Sequence, residues 1–155
     1  MPGILTTTRE ALAAFLRSDT ASGAKAFFTD HAKPIEVFTE KLKSFENAVI
    51  GALTKTGIAA IVTTPTAKNA KTEPGKLRLA NTTILIRILE SPDTNDTGVS
   101  ASDLAEVIVE FVKGFRIFDT SLAFNAITLG NDRTRLCYDV IFSASLAGKV
   151  NTARA

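Results

Sequence analysis

The chain has 155 residues, 45% of them hydrophobic and 22% charged, with a formal net charge of +2 and a single cysteine. That length predicts one domain over residues 1–155, with room for a substantial core. The weak charge is unlike the clustered basic excess of most nucleic-acid-binding modules, and one cysteine excludes an intrachain disulfide. No apolar run approaches the roughly 18 residues that span a bilayer, and the N-terminus lacks the pattern of a secretory signal.

The first third of the chain combines a clear helix with an ambiguous segment. Residues 8–17 have apolar side chains at helical spacing. Residues 34–56 allow two interpretations. Their apolar positions fit one long helical stripe, but the β-branched residues after the proline suit a short strand over Ile35–Thr39 and then a helix over Phe45–Lys55. We favour the second interpretation, because Gly57 is suited to end such a helix.

The middle of the chain is predicted to form two strands and a loop. The first strand covers Ile58–Thr64 and is expected to end at the following proline. Residues 65–76 contain no large apolar side chain, and their threonine, lysine, proline and glycine content predicts an exposed hairpin loop over about 65–78. The second strand, Leu77–Leu89, is apolar on both faces, which is typical of a central strand. A polar elbow, Ser91–Gly98, follows it.

The last third is predicted to contain one helix and two strands. The helix begins at Ser100 or Ser102, whose hydroxyls can cap it. Strands over Arg116–Leu129 and Arg135–Leu146 are expected to form a hairpin, and residues 148–155 are expected to be a frayed tail. Hairpins interrupted by helices indicate an α+β fold, a mostly antiparallel sheet with about three helices packed on one face.

The residues that could carry chemistry do not form a recognisable constellation. His31 is the only histidine and lies in a polar stretch typical of a surface loop, and Cys137 lies on a strand as a small, partly buried residue. Asp93, Asn95 and Asp96 do not have the spacing of an EF-hand calcium loop, and no phosphate-binding glycine motif is present. We therefore predict a protein that is not an enzyme and has no cofactor and no metal.

Basic residues cluster around the predicted loop. Two interpretations remain open: the lysines keep an exposed hairpin from pairing with other strands, or the loop contacts an acidic neighbour. No aromatic residue lies among them, which disfavours stacking on nucleic-acid bases. The residues of the loop and elbow that we expect at subunit contacts are Lys68, Lys71, Lys76, Arg78, Pro92, Asp93, Asn95 and Asp96.

The succession of elements resembles that of the tail terminator and tail-completion proteins of tailed bacteriophages. Four pieces between residues 8 and 146 carry the resemblance, and none is a sharp motif. They are the N-terminal helix followed by Ala26-Phe27-Phe28 and Pro34–Glu40; the helix Phe45–Lys55 running into Gly57–Val62 and Thr64-Pro65; the strand ending Ile88–Pro92 with Asn95 after it; and the helix Ala101–Val112 with the two closing strands.

The resemblance implies a structural virion protein in the phage tail, assembled in the host cytoplasm. Such proteins form a hexameric ring on the last ring of the tail tube, stop its growth, and meet neck or head-completion proteins or the sheath. DNA passes through the lumen of such a ring without specific binding. The resemblance implies no catalytic residue.

Two alternatives follow from the same residues. The first is a head–tail joining protein or a tail tube subunit. The second is a small soluble enzyme or ligand-binding domain. It would have a pocket between sheet and helix lined by Phe38, Phe111 and Phe124, with Asp139 or Arg87 as its polar anchor.

Overall fold

The computed structural model describes residues 3–17, 28, 35–39, 45–73, 76–130 and 135–149. The helices in this part of the chain are α1 (Ile4–Arg17), α2 (Phe45–Lys55) and α3 (Ala101–Val112). The strands are β1 (Glu36–Thr39), β2 (Ile58–Glu73), β3 (Lys76–Glu90), β4 (Arg116–Ile117), β5 (Thr120–Ser121), β6 (Ala123–Leu129) and β7 (Leu136–Lys149). The fold is α+β, as predicted.

The described strands form one five-stranded sheet in the order β1-β2-β3-β7-β6, and β4 pairs with β5 in a separate hairpin. β1 is parallel to β2, and α2 is the crossover that a parallel pair requires. The other pairs in the sheet are antiparallel. β3 is paired with β2 on one side and β7 on the other from Lys76 to Glu90, which confirms the prediction of a central strand.

Helices cover both faces of this sheet. We call front the face that carries Ile84, Ile86 and Ile88, which pack against α1 and α3. We call back the face that carries Ala59, Ile61 and Leu89, which pack against α2. The prediction that the helices share one face is therefore wrong. The reason lies in Ile58–Val62, where consecutive residues are apolar, so side chains pointing to either face need cover.

The predicted loop over 65–78 is a continuation of the sheet. β2 runs to Glu73 and β3 starts at Lys76, and the register pairs these two residues. The composition of this stretch predicted a loop because large apolar residues are few. Its strands are held mainly by hydrogen bonds along the sheet, between β2 and β3 and between β3 and β7, and they do not have a large buried face. We call arm the ribbon formed by Thr66–Glu73, Lys76–Thr83 and Ala144–Lys149, which is the part of the sheet beyond the main core.

One bulge lies on β2 where the arm begins, and a second lies on β3 inside the arm. Thr64 and Pro65 of β2 together oppose Ile84. Ala80 and Asn81 of β3 together oppose one residue of β7. The prediction that Pro65 ends β2 is wrong. Pro65 lies in a bulge, beyond the last residue of β2 that pairs with β1. Its missing N–H therefore removes no ladder hydrogen bond.

Two further predictions change in the second half of the chain. The expected strand over 116–129 is divided into β4, β5 and β6, because Phe118 and Asp119 take positive φ angles of 51° and 59° and make a two-residue turn. The hairpin of β6 and β7 is confirmed. The tail predicted over 148–155 belongs to β7 as far as Lys149, and residues 150–155 lie outside the described part of the chain.

The glycine that ends α2 provides a stability test. Gly57 has φ of 82°, and a Cβ there would overlap the backbone of Thr94 and Asn95 in the elbow. Gly98 has the same φ but open space around it. We expect Gly98→Ala to cost about 1 kcal/mol from backbone strain alone, and Gly57→Ala to cost clearly more because the elbow must also move. Chemical denaturation of both variants measures the difference.

Gly51 is the matched control, because it lies inside α2 with nothing near its missing Cβ. Gly51→Ala should raise stability by about 0.5–1 kcal/mol. Equal losses for Gly57→Ala and Gly98→Ala would show that the elbow does not need the close approach at Gly57.

Candidate functional site

The residues predicted at subunit contacts fall into two groups at opposite ends of the sheet. Lys68, Lys71, Lys76 and Arg78 are in the arm, where β3 begins. The elbow residues follow the other end of β3, after Glu90. β3 has 15 residues, so at roughly 3.3 Å per residue the two groups are about 45 Å apart along it. The structure therefore does not bring them together within one subunit.

A buried carboxylate organises the elbow. Glu90 is 7% exposed, and its Oε1 accepts a hydrogen bond of 2.8 Å from the backbone N–H of Ala101, the first residue of α3. Its Oε2 accepts one of 2.7 Å from Nδ2 of Asn95. A negative charge at this point also suits the dipole of α3. The carboxylate thus fixes the end of β3 to the start of α3.

Asn95 has its whole hydrogen-bonding capacity used inside the elbow. Besides the bond to Glu90, its Nδ2 donates to the carbonyl of Val99 at 2.7 Å. Its Oδ1 accepts from the backbone N–H of Thr97 at 3.0 Å and from the Thr97 hydroxyl at 2.6 Å. An asparagine amide has two donors and two acceptor positions, so all four are engaged. Asn95 consequently braces the elbow, and its side-chain amide has no hydrogen-bonding position left for the subunit contact that the sequence predicts.

The elbow is held by the subunit itself. The backbone N–H of Ser91 donates to the carbonyl of Gly57 at 2.8 Å, and Ser100 caps α3 by accepting from the N–H of Asp103. Pro92, Asp93 and Asp96 lie exposed on its outside. These three remain where a neighbour can reach them, and their positions are set before any partner arrives.

The arm presents basic side chains on the back face. Ala67 on β2 and Leu77 and Leu79 on β3 pack with the first turn of α1 on the front. By strand alternation the neighbouring Lys68 and Arg78 point to the back, and both are exposed. α2, the described helix on the back face, packs at the elbow end of the sheet, so no described helix covers this side of the arm.

The strand register of the arm places like charges opposite each other. Lys71 of β2 pairs with Arg78 of β3, and Lys76 of β3 pairs with Lys149 of β7. Directly opposed like charges destabilise a sheet by some tenths of a kcal/mol per pair or more. The one acidic residue in the hairpin part of the arm, Glu73, pairs with Lys76. Four of the five charged residues in the hairpin part of the arm are therefore basic.

The arm also has two strand edges without ladder pairing to a described strand. β1 pairs with β2 only from Glu36 to Thr39, opposite Ala59–Val62. β6 pairs with β7 only as far as Ser143, and the β4–β5 hairpin lies beside β7 without pairing to it. Within the described residues, the outer edge of β2 in the arm is thus open. Open strand edges are sites at which further chains add to a sheet, and lysines on such edges restrict which chains can do so.

The pocket of the ligand-binding alternative does not form. Phe111 packs in the front cluster, whereas Phe38 packs in the back cluster with α2. Phe124 is half exposed on edge strand β6, against Phe142. The proposed anchors bind each other instead of a ligand. Nε of Arg87 lies 2.8 Å from Oδ1 of Asp139 and its second nitrogen, NH2, lies 3.0 Å from Oδ2, a bidentate pair across β3 and β7.

Cys137 is a packing residue on the back face. It is 1% exposed, packs in the cluster under α2, and its Sγ lies 3.8 Å from Oδ1 of Asp139. A Cβ on Gly130 would overlap this sulfur, so the chain approaches closely where β6 ends. His31 lies outside the described residues. Among the residues that are described, no three His, Cys, Asp or Glu side chains form a group that could hold a metal ion.

No described helix is both long enough and apolar enough to cross a membrane. No protein-family model matches the chain, and a search of curated proteins finds no match either. The fold, the braced elbow and the basic arm are therefore the observations from which function is inferred.

The bracing role of Glu90 can be tested with one substitution. In Glu90→Gln the side-chain oxygen can still accept from the backbone N–H of Ala101. The new amide N–H₂ group faces Nδ2 of Asn95, so one N–H of Asn95 loses its acceptor. We expect the free energy of unfolding to fall by about 2 kcal/mol, the usual cost of a buried donor without a partner. Asp93→Asn removes an exposed charge from the same elbow and should change stability by less than about 0.5 kcal/mol. A similar effect of both variants would argue against the network.

The Arg87–Asp139 pair can be tested by a double-mutant cycle. Asp139 is nearly buried, but the Arg87 side chain is 42% exposed, so solvent screening reduces the value of the pair. Arg87→Met should cost about 1–2 kcal/mol, because it leaves a buried carboxylate without its partner. Adding Asp139→Leu should recover part of that loss. If the double variant is less stable than the sum of the single changes, the pair is not a structural one.

Proposed function

We propose that this protein is a structural virion protein, a ring-forming tail terminator of a tailed bacteriophage. In this role six copies form a ring that caps the tail tube, ends its growth and joins it to the neck or head. Its partners are further copies of itself, the tail tube protein, and neck, head-completion or sheath proteins. It acts in the tail of the virion after assembly in the host cytoplasm, without enzymatic activity.

The arm is the observation that carries this proposal. It extends the sheet beyond the main core, leaves the outer edge of β2 open, and carries the exposed Lys68 and Arg78 on a side without a described helix. A free subunit gains little stability from such an extension, whereas an assembly can use it as a contact. The order and lengths of the elements also fit the resemblance to tail terminators.

Two features favour this proposal over the alternatives. A single sheet with helices on both faces differs from the strand-rich sandwich expected of a tail tube subunit. The enzyme alternative depended on polar groups converging on a pocket, and Arg87 and Asp139 bind each other on the back face while Phe111 lies on the front. The terminator role requires no reactive group.

The proposal is tested by shortening the arm and measuring assembly. Lys68 and Asn81 are register partners, so replacing residues 69–80 with Asn-Gly joins them by a two-residue turn. The front and back clusters of the main core stay intact, and circular dichroism should show a folded domain. We expect wild-type protein to form rings of about six copies and to end growing tail tubes, and the shortened variant to lose both activities. Light scattering on a sizing column and negative-stain imaging with tail tube protein measure them.

Ile50→Ser is the matched control, because it removes an exposed apolar side chain from α2, away from the arm. It should assemble and cap tubes as wild type does. Wild-type protein that neither forms rings nor shortens tubes would exclude the terminator role. A shortened variant that still caps tubes would exclude the arm as the contact.

A further inference from the structure

The small net charge of the chain hides a strong separation of charge. Between Ile88 and Val112 there are six acidic residues and no lysine or arginine. The acidic residues are Glu90, Asp93, Asp96, Asp103, Glu106 and Glu110. The hairpin part of the arm, in contrast, has four basic residues and one acidic residue. These segments follow opposite ends of β3, so the basic residues of the arm and the acidic residues of the elbow are far apart within one subunit.

The negative end has carboxylates ready for a partner. The exposed side chains are those of Asp93 on the elbow and of Asp103 and Glu106 on α3. The carboxylate of Glu90, in contrast, is buried and hydrogen-bonded inside the elbow. Glu110, further along α3, is paired with Lys113. Lys113 directly follows this segment and Lys55 lies at the end of α2, and both are exposed. The outer surface of the elbow and the first turns of α3 therefore remain acidic and are rigidly held.

The arm needs an acidic partner that matches its shape and position. Its back face carries the exposed basic side chains of Lys68 and Arg78. A carboxylate surface against that face would be attracted to both side chains. Such a surface exists on every other copy of the same chain, at the end opposite to the arm, which is the arrangement that a head-to-tail contact requires.

We propose that the arm of one copy docks on the acidic end of the next copy, which is formed by the outer elbow and the first turns of α3. This contact rests on the proposed ring function and specifies how the ring is closed. The two surfaces differ, so each copy uses its arm for one neighbour and its acidic end for the other. Repetition by a constant rotation then closes a ring rather than a two-fold dimer.

Charge reversal on each side tests the contact. The arm-reversed variant is Lys68→Glu with Arg78→Glu, and the acid-reversed variant is Asp93→Lys with Asp103→Lys. All four side chains are exposed. Each variant alone opposes like charges, so we expect its self-association to weaken about tenfold or more. Wild-type association should also weaken as salt rises well above roughly 0.1 M. Sedimentation over a range of protein concentrations measures both effects.

Mixing the two variants gives the decisive result. The reversed arm of one variant fits the reversed acidic end of the other, and the remaining arm and acidic end fit as in wild type. An equimolar mixture should therefore regain association, with the two variants alternating around an even-numbered ring. Glu10→Lys with Glu36→Lys changes the charge by the same amount on other exposed sites and should associate as wild type does.

Four outcomes would overturn the inference. Reversed variants that assemble normally would leave the ring proposal standing but place its contacts elsewhere. Variants that lose association and are not rescued by mixing would show that the two ends do not meet. An arm-reversed variant that keeps its ring mass but no longer caps tubes would assign the arm to the tube. Wild-type protein that stays monomeric at every concentration also overturns the contact. The tube-capping assay then tests the proposed function independently of self-association.

Discussion

The structure depends on the central position of β3, whose front face is buried along the middle of the sheet and whose back face is buried at the elbow end. Ile84, Ile86 and Ile88 are fully buried on the front, and Leu89 is nearly so on the back. Their apolar area requires helices on both sides, and at roughly 1.5–3 kcal/mol for each large side chain it dominates the stability of the fold. Since β3 is hydrogen-bonded to β2 and β7 from Lys76 to Glu90, it also fixes where the arm and the elbow lie.

The arm and the elbow are held in different ways, although they continue the same strand. At the elbow end the chain changes direction, and Glu90 and Asn95 satisfy each other and the first turn of α3. At the arm end the strands run on past the bulges at Pro65 and Asn81, and their stability comes mostly from ladder hydrogen bonds and a small apolar group around Leu79 and Leu146. One end is rigid before assembly, and the other has less to keep it in place. A contact between such ends joins an adaptable surface to a fixed one.

The sequence predicted those elements whose signals are local. The bounds of α2 follow from helical spacing and from Gly57, and the cap of α3 follows from Ser100. The arm was missed because hydrophobic periodicity detects burial, whereas its strands are specified by pairing with distant residues of β7. The turn at Phe118 was missed because positive φ normally requires glycine or asparagine, and neither is present. For the candidate site, the charged residues of the arm and elbow can be identified directly from the sequence. The inward orientation of the Asn95 side chain cannot.

The separation of charge is easier to explain by assembly than by folding. In the free subunit the exposed Lys68 and Arg78 of the arm are tolerable, because charges that face water interact weakly at high dielectric constant. Covering the same residues with an apolar surface would desolvate them at a large cost, and covering them with another basic surface would add repulsion. Only an acidic surface turns the arrangement into a net gain. The chain has exposed carboxylates at Asp93, Asp103 and Glu106, and Glu90 fixes the elbow to the start of α3, so these carboxylates are held in place by the fold itself.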